Sequence, residues 1–257
     1  MRIVIKIGTS TLTYKNGCVN IRRFEALCKA VSDVKNAGNE VILVSSGAIG
    51  MGVGKLHLPS RPSDIAGKQA AAAVGQCELM YIYDKEFSAY NHTVAQLLLT
   101  APDLQCEDRR GKFEDTMERL LGLGVIPIIN ENDTVATEEI VFGDNDTLAA
   151  EVAVSVGAEL LVLLSDIDGL YDKDPKSSPD AKIIDEVREL TEDIMALGGG
   201  AGSALGTGGM ITKLRAAKIA TEHGCDMIIT NGTRPELLYS ILDGVSVGTR
   251  FYKREKK

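Results

Sequence analysis

Six short, largely apolar runs divide the chain, at residues 3–7, 41–44, 94–99, 125–129, 160–164 and 227–229. They are mostly continuous rather than alternating and too short for buried helices, so they predict strands covered on both faces. Pro127 inside the fourth run predicts an edge strand or a local irregularity there. Between the runs the spacing becomes helical. Ile21, Phe24, Cys28, Val31 and Val34 form one predicted helix face, with Asn20 placed to cap it and Gly38 to end it. Further helices are predicted from Pro62 and Ser63 through residues 68–76, over 108–121, over 147–156 and over 209–223. Residues 45–54 read as a glycine-rich loop. Strands joined by helices need crossover connections, so the expected architecture is a three-layer αβα sandwich around a mostly parallel sheet.

Composition narrows this without changing it. The chain has 257 residues, 44% hydrophobic and 25% charged, which is ordinary for a globular protein. Its longest apolar stretches are about five residues against the roughly 18 that span a bilayer, and Lys6 breaks any N-terminal signal core. A cytoplasmic protein without a membrane partner is expected. With 28 basic against 36 acidic residues the formal charge is −8, which repels a phosphate backbone, so no nucleic-acid partner is expected. The basic residues at 253–257 read as a solvated tail. The five cysteines and three histidines are scattered, with no metal-ligand spacing.

In an open parallel sheet ligands gather beyond the carboxyl ends of the strands, so the loops after Ile7, Val44, Ile129 and Leu164 should converge on one crevice. Neither a GxxxxGK[ST] nor a GxGxxG pattern closes anywhere in the chain. A different phosphate architecture is suggested instead. Lys6 leads into Gly8, Thr9 and Ser10, while Gly206, Thr207, Gly208 and Gly209 open the predicted helix carrying Lys213. Small residues let backbone N–H groups reach an anion, and a helix N-terminus adds positive partial charge. Residues 198–209, with seven glycines in twelve positions, read as a ligand loop.

Residues 130–146 concentrate Asn130, Asn132, Asp133, Asp144, Asn145 and Asp146 at the ends of one predicted loop. Carboxylates accept from an ammonium and amides donate to carboxylates, so this set suits an amino-acid substrate. The acidic stretch 163–175 has no flanking helices of the kind a calcium loop needs and is preceded by an apolar strand.

The segments KIGTS (6–10), VSSGAIGMG (44–52), KQAAAAVGQ (68–76), NENDTVATEEIVFGDND (130–146), LLSDIDGLYDKDP (163–175) and GTGGMITK (206–213) together resemble the amino acid kinase family, over nearly the whole chain. The first and last are shared widely in that family. KQAAAAVGQ and the NEND-to-GDND segment are similar to its glutamate-phosphorylating branch in particular.

The resemblance implies one kinase domain over residues 1–257, its N-terminal part mainly taking L-glutamate and its C-terminal part mainly ATP. The PUA domain that many bacterial members carry is not expected within it. The implied reaction moves a phosphoryl group from ATP to the side-chain carboxylate of L-glutamate, giving L-glutamyl 5-phosphate, the first step toward proline. Lys6 and Lys213 are implied as the cations at the transferred group, and Asp146 as the aspartate that orients them. Ser46, Asp133 and Asn145 are implied as glutamate contacts. Lys6, Ser165, Asp166, Thr207, Gly208, Gly209, Met210, Ile211, Thr212 and Lys213 are implied as nucleotide contacts. Mg²⁺ is expected with the nucleotide, its protein ligands unassigned. Proline as an end-product inhibitor and a homodimer or homotetramer are also implied. A kinase of the same fold acting on N-acetylglutamate, aspartate, carbamate or UMP is the alternative, with a non-catalytic sensor of amino acids or nucleotides behind it.

Overall fold

The computed structural model describes residues 1–14, 16–135, 145–199 and 209–254. Eight strands form one sheet: β1 (Arg2–Ile7), β2 (Glu40–Ser45), β3 (Val94–Leu99), β4 (Ile126–Glu131), β5 (Leu160–Ser165), β6 (Glu186–Val187), β7 (Asp226–Asn231) and β8 (Thr249–Phe251). Their order across the sheet is β3-β4-β2-β1-β5-β7-β8-β6. All neighbours from β3 to β7 run parallel, and only β8 is antiparallel to its neighbour β7. The helices are α1 (Thr9–Leu12), α2 (Ile21–Asn36), α3 (Ala48–Lys55), α4 (Ile65–Ser88), α5 (Ala101–Gln105), α6 (Glu107–Gly122), α7 (Asn145–Ser155), α8 (Glu192–Ala196), α9 (Met210–Glu222) and α10 (Leu237–Leu242). The expected αβα sandwich is therefore observed.

Strand alternation separates two cores. Val4, Ile42, Val44, Ile129, Leu161 and Leu163 face α6, α7 and α9 in one cluster. Ile3, Ile5, Val41, Leu43, Ile128 and Val162 face α2, α4 and α10 in the other. Each large side chain taken fully from water contributes roughly 1.5–3 kcal/mol, so both layers are held firmly to the sheet. The same alternation puts Lys6 on the face of Val4, toward α7 and α9.

Four expectations are corrected. Residues 45–54 are not a loop: β2 ends at Ser45, Gly47 turns the chain with φ 105°, and α3 follows. Its glycines serve packing, because a Cβ on Gly52 would lie 1.8 Å from the Ala71 carbonyl oxygen, and one on Gly75 1.8 Å from that of Ala48. The backbones of α3 and α4 thus touch where no side chain fits between them. Of the two expectations at Pro127 the edge strand is the one corrected, because β4 lies inside the sheet, between β3 and β2. Ile126 N–H donates to Thr93 of the β3 side, so the Pro127 nitrogen is turned toward β2, whose ladder begins only at Leu43↔Ile128. No ladder hydrogen bond is lost there. Ile21 is 64% exposed rather than part of the buried face of α2, which uses Phe24, Leu27, Cys28, Val31 and Val34. Asn20 does cap α2, accepting from Arg23 N–H, and Gly38 follows it at φ 88°.

The fourth correction bears on chemistry. Residues 130–146 are not one loop, since Asn130 and Glu131 finish β4 while Asn145 and Asp146 begin α7. β6 and β8 are short strands without long apolar runs, which is why the sequence pattern does not show them.

Candidate functional site

The carboxyl ends of β1, β2, β4 and β5 lie side by side on one edge of the sheet, as the parallel order requires. Two helices begin above them. Asp146, in the first turn of α7, is fully buried, and its carboxylate receives a lysine on each oxygen. Lys6 Nζ lies 2.6 Å from Oδ1, and Lys213 Nζ donates to Oδ2 at 2.9 Å. Both lysines are almost enclosed, at 6% and 5% exposure. The Thr212 hydroxyl also reaches Asp146 Oδ2, at 3.2 Å, and Gly209 O at 2.8 Å. Strand β1, helix α7 and helix α9 therefore meet through three charged side chains.

Within this group of three, two buried ammonium groups face one carboxylate. Cations clustered in an enclosed site favour an anionic ligand. Helix α9 starts at Met210 with no side-chain cap among the described residues, so the amides of Met210 and Ile211 suit an anion. Asp146 at the start of α7 is in turn favoured by that helix's dipole. The geometry can hold and neutralise a polyanion that gathers further charge during a reaction.

A second cluster of polar groups adjoins on the β2 and β4 side. Asn145 Nδ2 donates to Ser45 O at 2.6 Å, to Asn130 Oδ1 at 2.8 Å and to Ser46 Oγ at 2.9 Å. Asn130 Nδ2 donates to Gln76 Oε1 of α4 at 2.8 Å, and Asn130 Oδ1 accepts from the Glu131 N–H at 2.9 Å. Ser45 Oγ meets the Tyr83 hydroxyl at 3.0 Å. Burial pushes the Tyr83 phenol up, so it stays a neutral hydrogen-bonding group. Asp133 lies in the turn just beyond β4; burial raises its carboxyl above the usual range, with the Arg61 charge working against the rise.

At the end of β5, Ser165 Oγ donates to Asp166 Oδ1 at 3.2 Å, and Ser165 O accepts from Gly232 N–H at 2.7 Å. Alternation puts the Ser165 side chain on the face of Leu163 and Lys6. The structure thus joins Lys6, Asp146, Thr212, Lys213 and Gly209 by direct contact, and Ser46 with Asn145. Asp133, Ser165 and Asp166 stand at the same sheet edge without a direct bond to either group among the described residues. Met210 and Ile211 are the first residues of α9. Thr207, Gly208 and most of the glycine-rich segment lie outside the described residues. Gln76, Tyr83 and Ser45 carry structural roles that spacing alone does not reveal, since each acts through a partner distant in sequence. Among the described residues no group of three His, Cys, Asp or Glu is placed to hold a metal, and no helix is long and apolar enough to cross a membrane.

Comparison with known proteins agrees with this architecture. A glutamate 5-kinase of Clostridium perfringens is 54% identical over 258 residues, covering 99% of this chain and 96% of that protein. One from Listeria monocytogenes is 50% identical over 260 residues, covering 100% and 94%. At the level of fold, a UMP kinase from Bacillus anthracis superposes with a TM-score of 0.67 at 15% identity, covering 99% and 96% of the two chains. A carbamate kinase from Giardia lamblia bound to AMP-PNP gives 0.68 at 20%, covering 98% of each. The model of the amino acid kinase family matches residues 1–231, and with relatives of this identity over nearly the full length the chain belongs to that family.

Proposed function

We propose that this chain transfers a phosphoryl group from ATP to the side-chain carboxylate of L-glutamate, giving L-glutamyl 5-phosphate and ADP, the glutamate 5-kinase reaction that leads toward proline. The buried Lys6–Asp146–Lys213 triad carries the reading. A carboxylate with a reference pKa of about 4.3 is already ionised at neutral pH, so the nucleophile needs no general base. The difficulty is electrostatic, because an anion must approach a polyanion. Preorganised cations lower that barrier by neutralising charge where it develops. Lys6 and Lys213 serve as those cations, and Asp146 fixes their separation rather than taking a proton. Similarity to glutamate 5-kinases at 50–54% identity supports glutamate as acceptor.

In this reading the acceptor occupies the β2 and β4 side, against Ser46, Asp133 and Asn145. The nucleotide occupies the β5 and α9 side, against Ser165, Asp166 and residues 207–213. The N-terminal part of a single domain then serves glutamate and the C-terminal part serves ATP. Mg²⁺ arrives as part of the nucleotide substrate, its charge adding to that of the lysines. Proline shares the ammonium and α-carboxylate of glutamate and is proposed to compete at the acceptor side. A cytoplasmic homodimer or homotetramer completes the proposal.

Incubation with ATP, L-glutamate and hydroxylamine tests it, since an acyl phosphate is trapped as a coloured hydroxamate. Product is expected with glutamate and not with aspartate or N-acetylglutamate, and no ADP release is expected with UMP or carbamate. Hydroxamate from another acid with none from glutamate would discard glutamate as the acceptor.

Asp133→Ala is expected to raise the glutamate KM about tenfold, as loss of one charge-assisted contact implies, with little change in the ATP KM. In the unaltered chain the same KM should climb as pH falls through the elevated pKa of Asp133, because the protonated carboxyl no longer attracts an ammonium. A glutamate KM that ignores the substitution would take Asp133 out of the acceptor site.

A further inference from the structure

We infer that Gln76 is a positioning residue for the acceptor site, its carboxamide setting the direction in which Asn130 and Asn145 present their amides. The inference rests on the reading of Asn145 as a contact of the amino-acid substrate. Gln76 belongs to the KQAAAAVGQ segment, which the catalytic triad leaves without a role. It lies on α4 and is only 8% exposed.

Two backbone groups decide which end of each amide faces which neighbour. The Glu131 N–H can only donate, and it bonds Asn130 Oδ1 at 2.9 Å. Asn130 Nδ2 must then face Gln76, which therefore offers Oε1 as the acceptor, at 2.8 Å. The Ser45 carbonyl can only accept, and it takes Asn145 Nδ2 at 2.6 Å. Asn130 Oδ1 accepts from that same nitrogen at 2.8 Å. An amide has two N–H donors, so those of Asn145 are spent inside the protein. What Asn145 has left to offer is its carbonyl oxygen, an acceptor that suits the α-ammonium of an amino acid and not its carboxylate.

Removing the Gln76 acceptor leaves Asn130 with two poor choices. It keeps its orientation with a buried N–H unpaired, or it turns over and sets Nδ2 against the Glu131 N–H and Asn145 Nδ2, donor facing donor. Either way the Asn145 amide loses its fixed direction. The neighbouring Gly75 explains how Gln76 reaches so far in, since α4 lies against the α3 backbone at that point. Two turns further along α4, Tyr83 braces Ser45 at 3.0 Å, so one helix face supports both anchors of Asn145. The second amide end of Gln76, Nε2, is buried and makes no hydrogen bond among the described residues, where the attachment runs through Oε1.

The test compares the whole chain with its Gln76→Met and Gln76→Glu variants by titration calorimetry, using L-glutamate, glutarate and a non-hydrolysable ATP analogue. Glutarate is glutamate without the ammonium. Gln76→Met should weaken glutamate binding about tenfold, the loss expected when a buried donor is stripped of its acceptor. Its affinities for glutarate and for the ATP analogue should stay within about twofold of the parent, and its hydroxamate-based kcat should fall less than its affinity. Gln76→Glu keeps an acceptor for Asn130 and should recover most of the glutamate affinity. Should Gln76→Met not melt cooperatively, Gln76→Ala takes its place with the same expectations. Glutamate affinity unchanged in the Met or Ala variant, equal losses for all three ligands, or a Glu variant no better than Met would each overturn the inference. Glutamate binding without hydroxamate formation in the unaltered chain would sink the kinase reading alone. No glutamate binding at all would remove the acceptor site and Gln76's role with it.

Discussion

Lys213→Ala is expected to lower kcat about 10²–10³-fold, the range seen when one preorganised charge-stabilising group is removed from an enclosed site. Lys213 Nζ is held at 2.9 Å from a fully buried carboxylate, so its charge is aimed before any substrate arrives. Water admitted by the shortened side chain would have to reorganise during the reaction, and that reorganisation is the penalty. Lys6→Ala should cost a similar factor. The two losses should not add, because both lysines share Asp146 and each loosens the other's anchor. The fold should survive either change, since Asp146 keeps one partner in each single variant. Cooperative melting with kcat within about threefold of the parent would remove the lysines from the chemistry, whereas a purely raised ATP KM would make them binding groups only.

Gly75→Ala is expected to destabilise the protein through a contact that has nothing to do with charge. The added Cβ would sit 1.8 Å from Ala48 O and 2.4 Å from Gly52 N, both backbone atoms of α3. Neither atom belongs to a flexible side chain, so one helix must shift. Overpacking of this kind costs about 3 kcal/mol, against a gain of up to ~1 kcal/mol in helix propensity from Gly to Ala. A net loss near ~2 kcal/mol lowers the melting temperature of a chain this size by roughly 4–8 °C. Gly111 supplies the control. It lies within α6, and no atom of the described residues would come inside 4 Å of an added Cβ. Gly111→Ala should leave stability unchanged or raise it by ~0.5–1 kcal/mol. Circular dichroism melts of both variants decide the matter, and equal melting temperatures would refute the close packing of α3 on α4.

The central strands were readable because residues buried on both faces leave continuous apolar runs. Their parallel order followed from the helices between them. Helix α3 was hidden by its own packing device, since the glycines that let it touch α4 also look like loop residues. The start of α7 was hidden for a related reason. Asn145 and Asp146 are ordinary turn formers, and only their contacts with Ser45, Lys6 and Lys213 reveal them as the first turn of a helix. Lys6 and Lys213 stand out by the small residues beside them and the role of Asp146 follows from resemblance, but their meeting is a property of topology. Lys213 and Asp146 are 67 positions apart in sequence, and no local spacing relates them. Gln76 had no local signal at all, because a glutamine on an alanine-rich helix looks like any surface position.

The place of β1 at the middle of the sheet has a consequence for the nascent polypeptide. Its neighbours are β2, which is made soon afterwards, and β5, which ends only at Ser165. Until the ribosome has released that second neighbour, one flank of β1 stays open to mispairing. β1 is thus flanked on both sides only once β5 exists, so assembly of the sheet's centre must wait for a far later part of the chain.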